Sequence, residues 1–192
     1  MNMTDRHQKF NSYWENVTDN VEALVEHDVD IQELPLRSNE VSTAYSVRFS
    51  GLGKYPLFAY LTVPKGTGPF PALILAPEYG SVVSIPAYER RAVFVVLALC
   101  HRGQRHSDKP YSAQYPGLLT DGLPKASTYR WRDIVSDCLR AVDVLIAQPT
   151  VDLSRLLVVG NDLAFITAAL KPKIRQILIT SLLFRGTADQ IG

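Results

Sequence analysis

Cysteine, methionine and tryptophan are each present only twice in this 192-residue chain, and its charges almost cancel. Cys100 and Cys138 are too few for a disulfide framework. One ends a predicted strand and the other lies inside a predicted helix, so both are expected as reduced, buried thiols. Lys plus Arg number 20 against 19 for Asp plus Glu, a formal net charge of +1, and the basic residues are scattered. That balance argues against a nucleic-acid partner. No apolar run reaches the roughly 18–20 residues needed to span a bilayer. The opening residues, Met1 to Phe10, are polar and carry no apolar stretch of the secretory type. A cytoplasmic protein with no membrane association follows as the expectation. Histidine is scarce as well, at four residues. His7 and His27 belong with the N-terminal helix and its end, which leaves His101 and His106 without further ligands. No metal and no other cofactor is expected.

What remains is ordinary globular material, 46% apolar and 20% charged, enough for one domain with a substantial core. From about Thr4 to His27, Phe10, Trp14, Val17, Val21, Leu24 and Val25 recur at three- and four-residue steps, predicting a helix. Extended segments follow at Asp30–Leu36, Thr43–Phe49 and Leu57–Val63. In the second, Tyr45, Val47 and Phe49 alternate as in a half-buried antiparallel strand. Further on, Ala72–Ala76, Val93–Leu99, Leu156–Val159 and Ile177–Ile179 are continuous apolar runs, the pattern of strands buried on both faces of a parallel sheet. A turn or two of helix fits Tyr88–Arg91, a long helix fits Tyr129–Gln148 before Pro149, and another fits Asp162–Leu170 before Pro172. The expected architecture is α/β: a mixed, mostly parallel sheet with flanking helices. Arg102–Lys125, rich in Gly, Pro, Ser and Tyr, is long for a structureless loop, and such loops often shape a binding site.

Ligands of open α/β sheets collect beyond the carboxyl ends of the strands, and three segments fall there. Ala76-Pro-Glu-Tyr-Gly80 contains a glycine turn that can aim backbone N–H groups as an oxyanion hole does; taken alone, an ordinary β-turn is the better account of it. Cys100-His-Arg-Gly-Gln-Arg-His106 carries His101 and His106, either acid/base groups or exposed loop histidines. The third, Gly160-Asn-Asp-Leu-Ala164, lies between a strand and a helix, in the frame G-x-S-x-G of a nucleophile elbow. Asp162 stands where that frame places serine. Aspartate at this point also suits a helix N-cap.

Taken in order, Leu57–Pro64, Phe70–Gly80, Cys100–Gln104, Tyr129–Asp143, Val151–Arg155 and the elbow resemble the acetyl xylan esterase and cephalosporin-C deacetylase group of α/β-hydrolases. The resemblance runs from about residue 30 to the end and rests most on Arg102-Gly-Gln104 and on Pro149-x-Val-Asp-x-Ser-Arg155. It implies an N-terminal helix over 1–28 and an α/β-hydrolase core over 29–192, lacking the C-terminal strands after the one that follows the elbow helix. It implies deacetylation of small esters by a serine, a histidine and an aspartate. Asp162 falls at the serine, the Tyr79 and Leu163 N–H groups fall at the oxyanion-hole donors, and Arg102, Gly103 and Gln104 fall at the cleft rim. The histidine and acid of that triad have no counterpart here. Ala164 replaces the second glycine of the frame, the mildest change available.

An aspartate needs no base to become a nucleophile, but its attack on an ester gives a high-energy anhydride. Three readings follow: an esterase-family chain that has lost turnover, a non-catalytic binding or assembly protein on the same scaffold, and an Asp-nucleophile hydrolase of the dehalogenase or epoxide hydrolase type. The first takes a small acylated substrate, the second a small acylated ligand or a partner, and the third an alkyl halide or epoxide. Glu78, beside the oxyanion position, would oppose developing negative charge if it pointed inward. An unpaired sheet edge predicts self-association or pairing with a C-terminal half.

Overall fold

A computed structural model of the chain describes residues 3–24 and 28–183. Helix α1 spans Met3–Glu22. Strands β1 (Asp30–Glu33), β2 (Ser42–Gly51) and β3 (Tyr55–Pro64) form an antiparallel run, and β4 (Phe70–Leu75), α2 (Tyr88–Arg91) and β5 (Val95–Cys100) follow. Then come α3 (Arg130–Ile146), β6 (Val151–Gly160), α4 (Asp162–Leu170) and β7 (Gln176–Ile179). The seven described strands make one sheet in the order β1-β2-β3-β5-β4-β6-β7. The pairs β5–β4, β4–β6 and β6–β7 are parallel, so this half of the sheet sends its carboxyl ends to one edge. No helix among the described residues is long and apolar enough to cross a membrane.

The α/β expectation therefore stands, with local differences. The N-terminal helix ends at Glu22 rather than His27; Ala23 and Leu24 turn away, and residues 25–27 lie outside the described set. Val17 and Val21 are fully buried, whereas Phe10 is 62% exposed, so the stripe is covered only at its C-terminal end. Strand β1 stops three residues early because Pro35 lacks the N–H a ladder needs and starts a short 3-10 turn instead. In β2, Val47 and Phe49 are buried as their alternation predicts. Strand β5 starts at Val95 because the Val93 and Phe94 N–H groups still bond Arg90 C=O at the end of α2. Strand β6 begins at Val151, five residues before its apolar run. Its first residues carry a register shift against β4, between Pro71 and Ala72.

That early stretch is the Val-Asp-x-Ser-Arg motif, and its role here is local. The Asp152 carboxylate accepts from Ser154 N, Ser154 Oγ and Arg155 Nε at 2.9, 2.6 and 2.6 Å, while Arg155 reaches Pro69 C=O. These donors hold the Asp152 carboxyl down at about 2.

The core lies between the sheet and α3. Ile134, Val135, Cys138, Leu139, Val142 and Leu145 of α3 are fully buried against Leu97, Leu99, Ile74 and Leu156. Each such aliphatic side chain contributes roughly 1.5–3 kcal/mol of burial free energy. Strand β5 is buried at every position, as its unbroken apolar run predicts. Strand β7 is not: Ile177 and Leu178 are 41% and 59% exposed. Its apolar residues were expected to be covered on both faces, but β7 is the edge of the described sheet, bonded to β6 alone.

Candidate functional site

Strand β6 ends in Gly160, whose φ of +153° is open chiefly to glycine. A Cβ there would lie 2.9 Å from Ala76 C=O and 3.1 Å from Ala76 Cβ, so glycine lets the elbow close against the end of β4. It would also lie 3.4 Å from Ala164 Cβ, an ordinary contact. The backbone then turns at Asn161 into α4. Phe165 N donates to Asn161 C=O at 3.2 Å, and Leu163 N donates to Asn161 Oδ1 at 3.1 Å.

One sequence expectation is corrected by this geometry: the helix cap is Asn161, not Asp162, which is the first residue of α4. The Leu163 N–H, expected at an oxyanion hole, donates to that cap. Both residues are buried, Asp162 6% and Leu163 1% exposed. The Asp162 carboxylate accepts from Leu183 N at 2.6 Å.

Opposite the elbow lies the turn after β4. Tyr79 is half-buried, its ring edge-on to Tyr115 at 5.0 Å, so the long loop does reach this turn. Glu78 is exposed and accepts from Thr180 Oγ1 at 2.9 Å, which directs it to the end of β7. Between these parts a cavity of about 270 Å³ is bounded by Pro77, Glu78, Ser81, Ile85, Gly160 and Thr180. It falls just below the usual range for ligand pockets, which runs from about 300 Å³. A larger space of about 780 Å³ lies elsewhere, between α1 and α4 over Trp14, Phe165 and Ile166.

The segment after β5 serves mainly to hold the fold. Arg102 is 4% exposed, and its side chain turns to α3: Nε and Nη2 donate to Asp137 at 2.9 and 2.7 Å, and Nη1 sits 3.4 Å from Asp133. Burial alone would weaken the guanidinium's hold on its proton, but the two carboxylates outweigh it and raise the Arg102 pKa. Gly103, at φ +88°, bridges to Ser112; its N–H donates to Ser107 C=O, and its C=O accepts from Ala113 N–H. Gln104 accepts from His101 N and donates to Ser81 C=O at 3.2 Å, tying the β5 and β4 turns together.

The histidines do not meet the elbow acid. His101 is 1% exposed, and its Nδ1–H donates to Arg102 C=O at 2.7 Å. Burial pushes its pKa down to about 4, so it is neutral at pH 7. His106 lies against Phe58, ring centroids 4.6 Å apart, and 3.4 Å from Tyr60 Oη. Both of those residues are on β3, three strand spacings from β6, or about 14 Å. Burial and then the nearby Arg105 and Arg48 lower the His106 pKa as well. No cluster of three or more potential metal-binding side chains occurs among the described residues.

Asn161, Thr180 and Leu183 are the site residues the sequence did not single out. Asn161 lay within the quoted frame, and its residue type is a strong cap signal. Nothing local marked Thr180 or Leu183, whose bonds to Glu78 and Asp162 span 102 and 21 residues.

Strand order, elbow and the turn facing it define an α/β-hydrolase-like protein. The profile of the acetyl xylan esterase (AXE1) family matches residues 1–182, and the chain belongs to that family. Among curated relatives, acetyl esterase Axe7A of Xylanibacter ruminicola is 22% identical over 187 residues, covering 89% of this chain and 42% of that protein. Acetyl xylan esterase 1 from Thermoanaerobacterium sp. JW/SL YS485 superposes with a TM-score of 0.78 at 23% identity. The acetyl xylan esterase from Paenibacillus sp. R4 gives 0.79, also at 23% identity. These cover 95% and 94% of this chain and 62% of each relative, so the chain spans under two thirds of the proteins it matches.

Proposed function

We propose that this chain is a ligand-binding member of the esterase family that does not turn esters over by itself. The observation that carries the reading is the state of Asp162: at the nucleophile position, 6% exposed, and already accepting from Leu183 N–H. An acyl-transfer site needs a base within hydrogen-bond reach of its nucleophile and free N–H groups for the oxyanion. Neither described loop histidine stands there, and Asn161 occupies the Leu163 N–H. The Asp-nucleophile alternative meets the same obstacle, since its second step needs a base to activate water.

The ligand class is a small acylated compound, suited to the 270 Å³ cavity beside Glu78 and Gly160. Ile177 and Leu178, exposed on β7 at the edge of the described sheet, support a partner chain there, such as a second copy. Cys100 and Cys138, buried and unpaired, support a reducing, cytoplasmic setting. Burial pushes the Cys100 thiol up to about 12, which keeps it protonated and unreactive.

The test is turnover of p-nitrophenyl acetate by the native chain and by Asp162→Ser. No rate above the buffer blank is expected from either. Turnover by the native chain that disappears in Asp162→Ala would overturn the reading.

A further inference from the structure

The residues just after β7 are held to the site, and the bonds that hold them use the site's own polar groups. The ladder between β6 and β7 ends at the Gly160–Ile179 pair. Beyond it, Thr180 N donates to Gly160 C=O at 2.8 Å, Thr180 Oγ1 donates to Glu78 at 2.9 Å, and Leu183 N donates to Asp162 Oδ2 at 2.6 Å. Residues 180–183 belong to no helix or strand. Leu182 and Leu183 are 46% and 37% exposed, so apolar burial is only part of what places them. Polar contacts supply the rest of the hold: the Asp162 and Glu78 side chains both accept from this segment, Asp162 at the shorter distance.

From this arrangement we infer that Asp162 is a positioning residue: with Glu78 it latches residues 180–183 across the mouth of the elbow. The inference rests on the non-catalytic reading above and extends it to access. The two acidic residues of the cleft are then acceptors for the protein's own chain. Asn161 adds to the arrangement by accepting from Leu163 N–H. A ligand reaches the elbow when 180–183 lifts and Asp162 gives up its bond to Leu183.

Amide hydrogen exchange on the full chain tests this, comparing the native protein with Asp162→Ala and Asp162→Asn. A hydrogen bond to a charged group accounts for roughly tenfold or more in protection of its donor. Asp162→Ala should therefore accelerate exchange at Leu183 by about tenfold or more, while Val158 within β6 stays as protected as before. Asp162→Asn keeps a carbonyl acceptor and should restore most of the protection, a rescue that a general packing role would not produce. If Asp162→Ala does not fold, Thr180→Val provides the second variant. It removes one latch contact at an exposed position and should speed exchange at 181–183 with β6 unchanged.

Unchanged protection at Leu183 in Asp162→Ala overturns the latch, whatever the ester assay shows. The non-catalytic reading survives that result. If ester turnover is present and vanishes in Asp162→Ala, the non-catalytic reading falls, and the positioning role falls with it.

Discussion

Asp137 on α3 accepts three hydrogen bonds from one residue, Arg102: from its backbone N at 2.9 Å and from Nε and Nη2 at 2.9 and 2.7 Å. Asp137 is fully buried, and the Arg102 guanidinium also lies over the Tyr55 ring at 4.7 Å. The Arg-Gly-Gln motif thus fastens the β5 turn to the helix behind the sheet. Removing one member of a buried pair leaves an uncompensated charge, which costs roughly 3–5 kcal/mol. Asp137→Ala should lose about that much in urea denaturation, and Asp137→Asn less, because its carbonyl still accepts. A loss under about 1 kcal/mol for Asp137→Ala would place the anchor elsewhere.

Gly160 is the tightest point of the elbow. Substitution by alanine combines an unfavourable φ of +153° with a Cβ 2.9 Å from Ala76 C=O. Positive-φ strain and overpacking each cost roughly 1–3 kcal/mol. Gly160→Ala should therefore be destabilised by about 2–6 kcal/mol. Ala164→Gly, by contrast, should cost about 2 kcal/mol, from helix propensity and the lost burial of its methyl group. Thermal unfolding of the two variants beside the native chain separates these outcomes. Equal losses would mean that the close approach at Gly160 does not govern the turn.

Local patterns with a single physical cause were legible in the sequence. The elbow helix, Asp162–Leu170, was read to the residue because Gly160 and Pro172 bracket it. Strand β5 was read from its unbroken apolar run. Contacts between distant segments were not legible. The Asp137 acceptor for Arg102 lies 35 residues away, and Thr180 lies 102 residues from Glu78. Asp162 shows how the site was misread in part. Its position in the frame was plain, but whether it capped the helix depended on Asn161, one residue earlier, reaching Leu163 N first. Strand β7 shows a different limit: an apolar run records what a strand would bury, not whether a neighbour is there to bury it.

That neighbour can be sought directly. Leu178 is 59% exposed on β7, whose outer edge has no described partner. Charged side chains on edge strands block strand addition. If a second copy covers this edge, sedimentation of the native chain will show concentration-dependent association, and Leu178→Lys will weaken it without changing far-UV circular dichroism. Association unaffected by Leu178→Lys would move the interface away from β7. The apolar groove by Trp14 and Phe165 would then be the next surface to alter.

His101 makes stability depend on pH. Its folded pKa is lowered to about 4 by burial, against an ordinary 6.5. Above pH 6.5 the residue is neutral in both folded and unfolded chains, and its contribution is fully present. As pH falls below 6.5 the unfolded chain takes up a proton that the folded protein refuses until pH about 4, so stability is lost across that window. Between pH 7 and pH 5 the loss from this residue amounts to about 2 kcal/mol. His101→Asn has no proton to take up and can still donate toward Arg102 C=O, so the stability difference between native and variant should narrow by that amount, or reverse, on going from pH 7 to pH 5. Comparing the two proteins at each pH cancels the carboxylates, which titrate alike in both. A constant difference across the window would show that His101 is protonated as readily in the fold as in the open chain, and that its burial is not what the 2.7 Å bond to Arg102 implies.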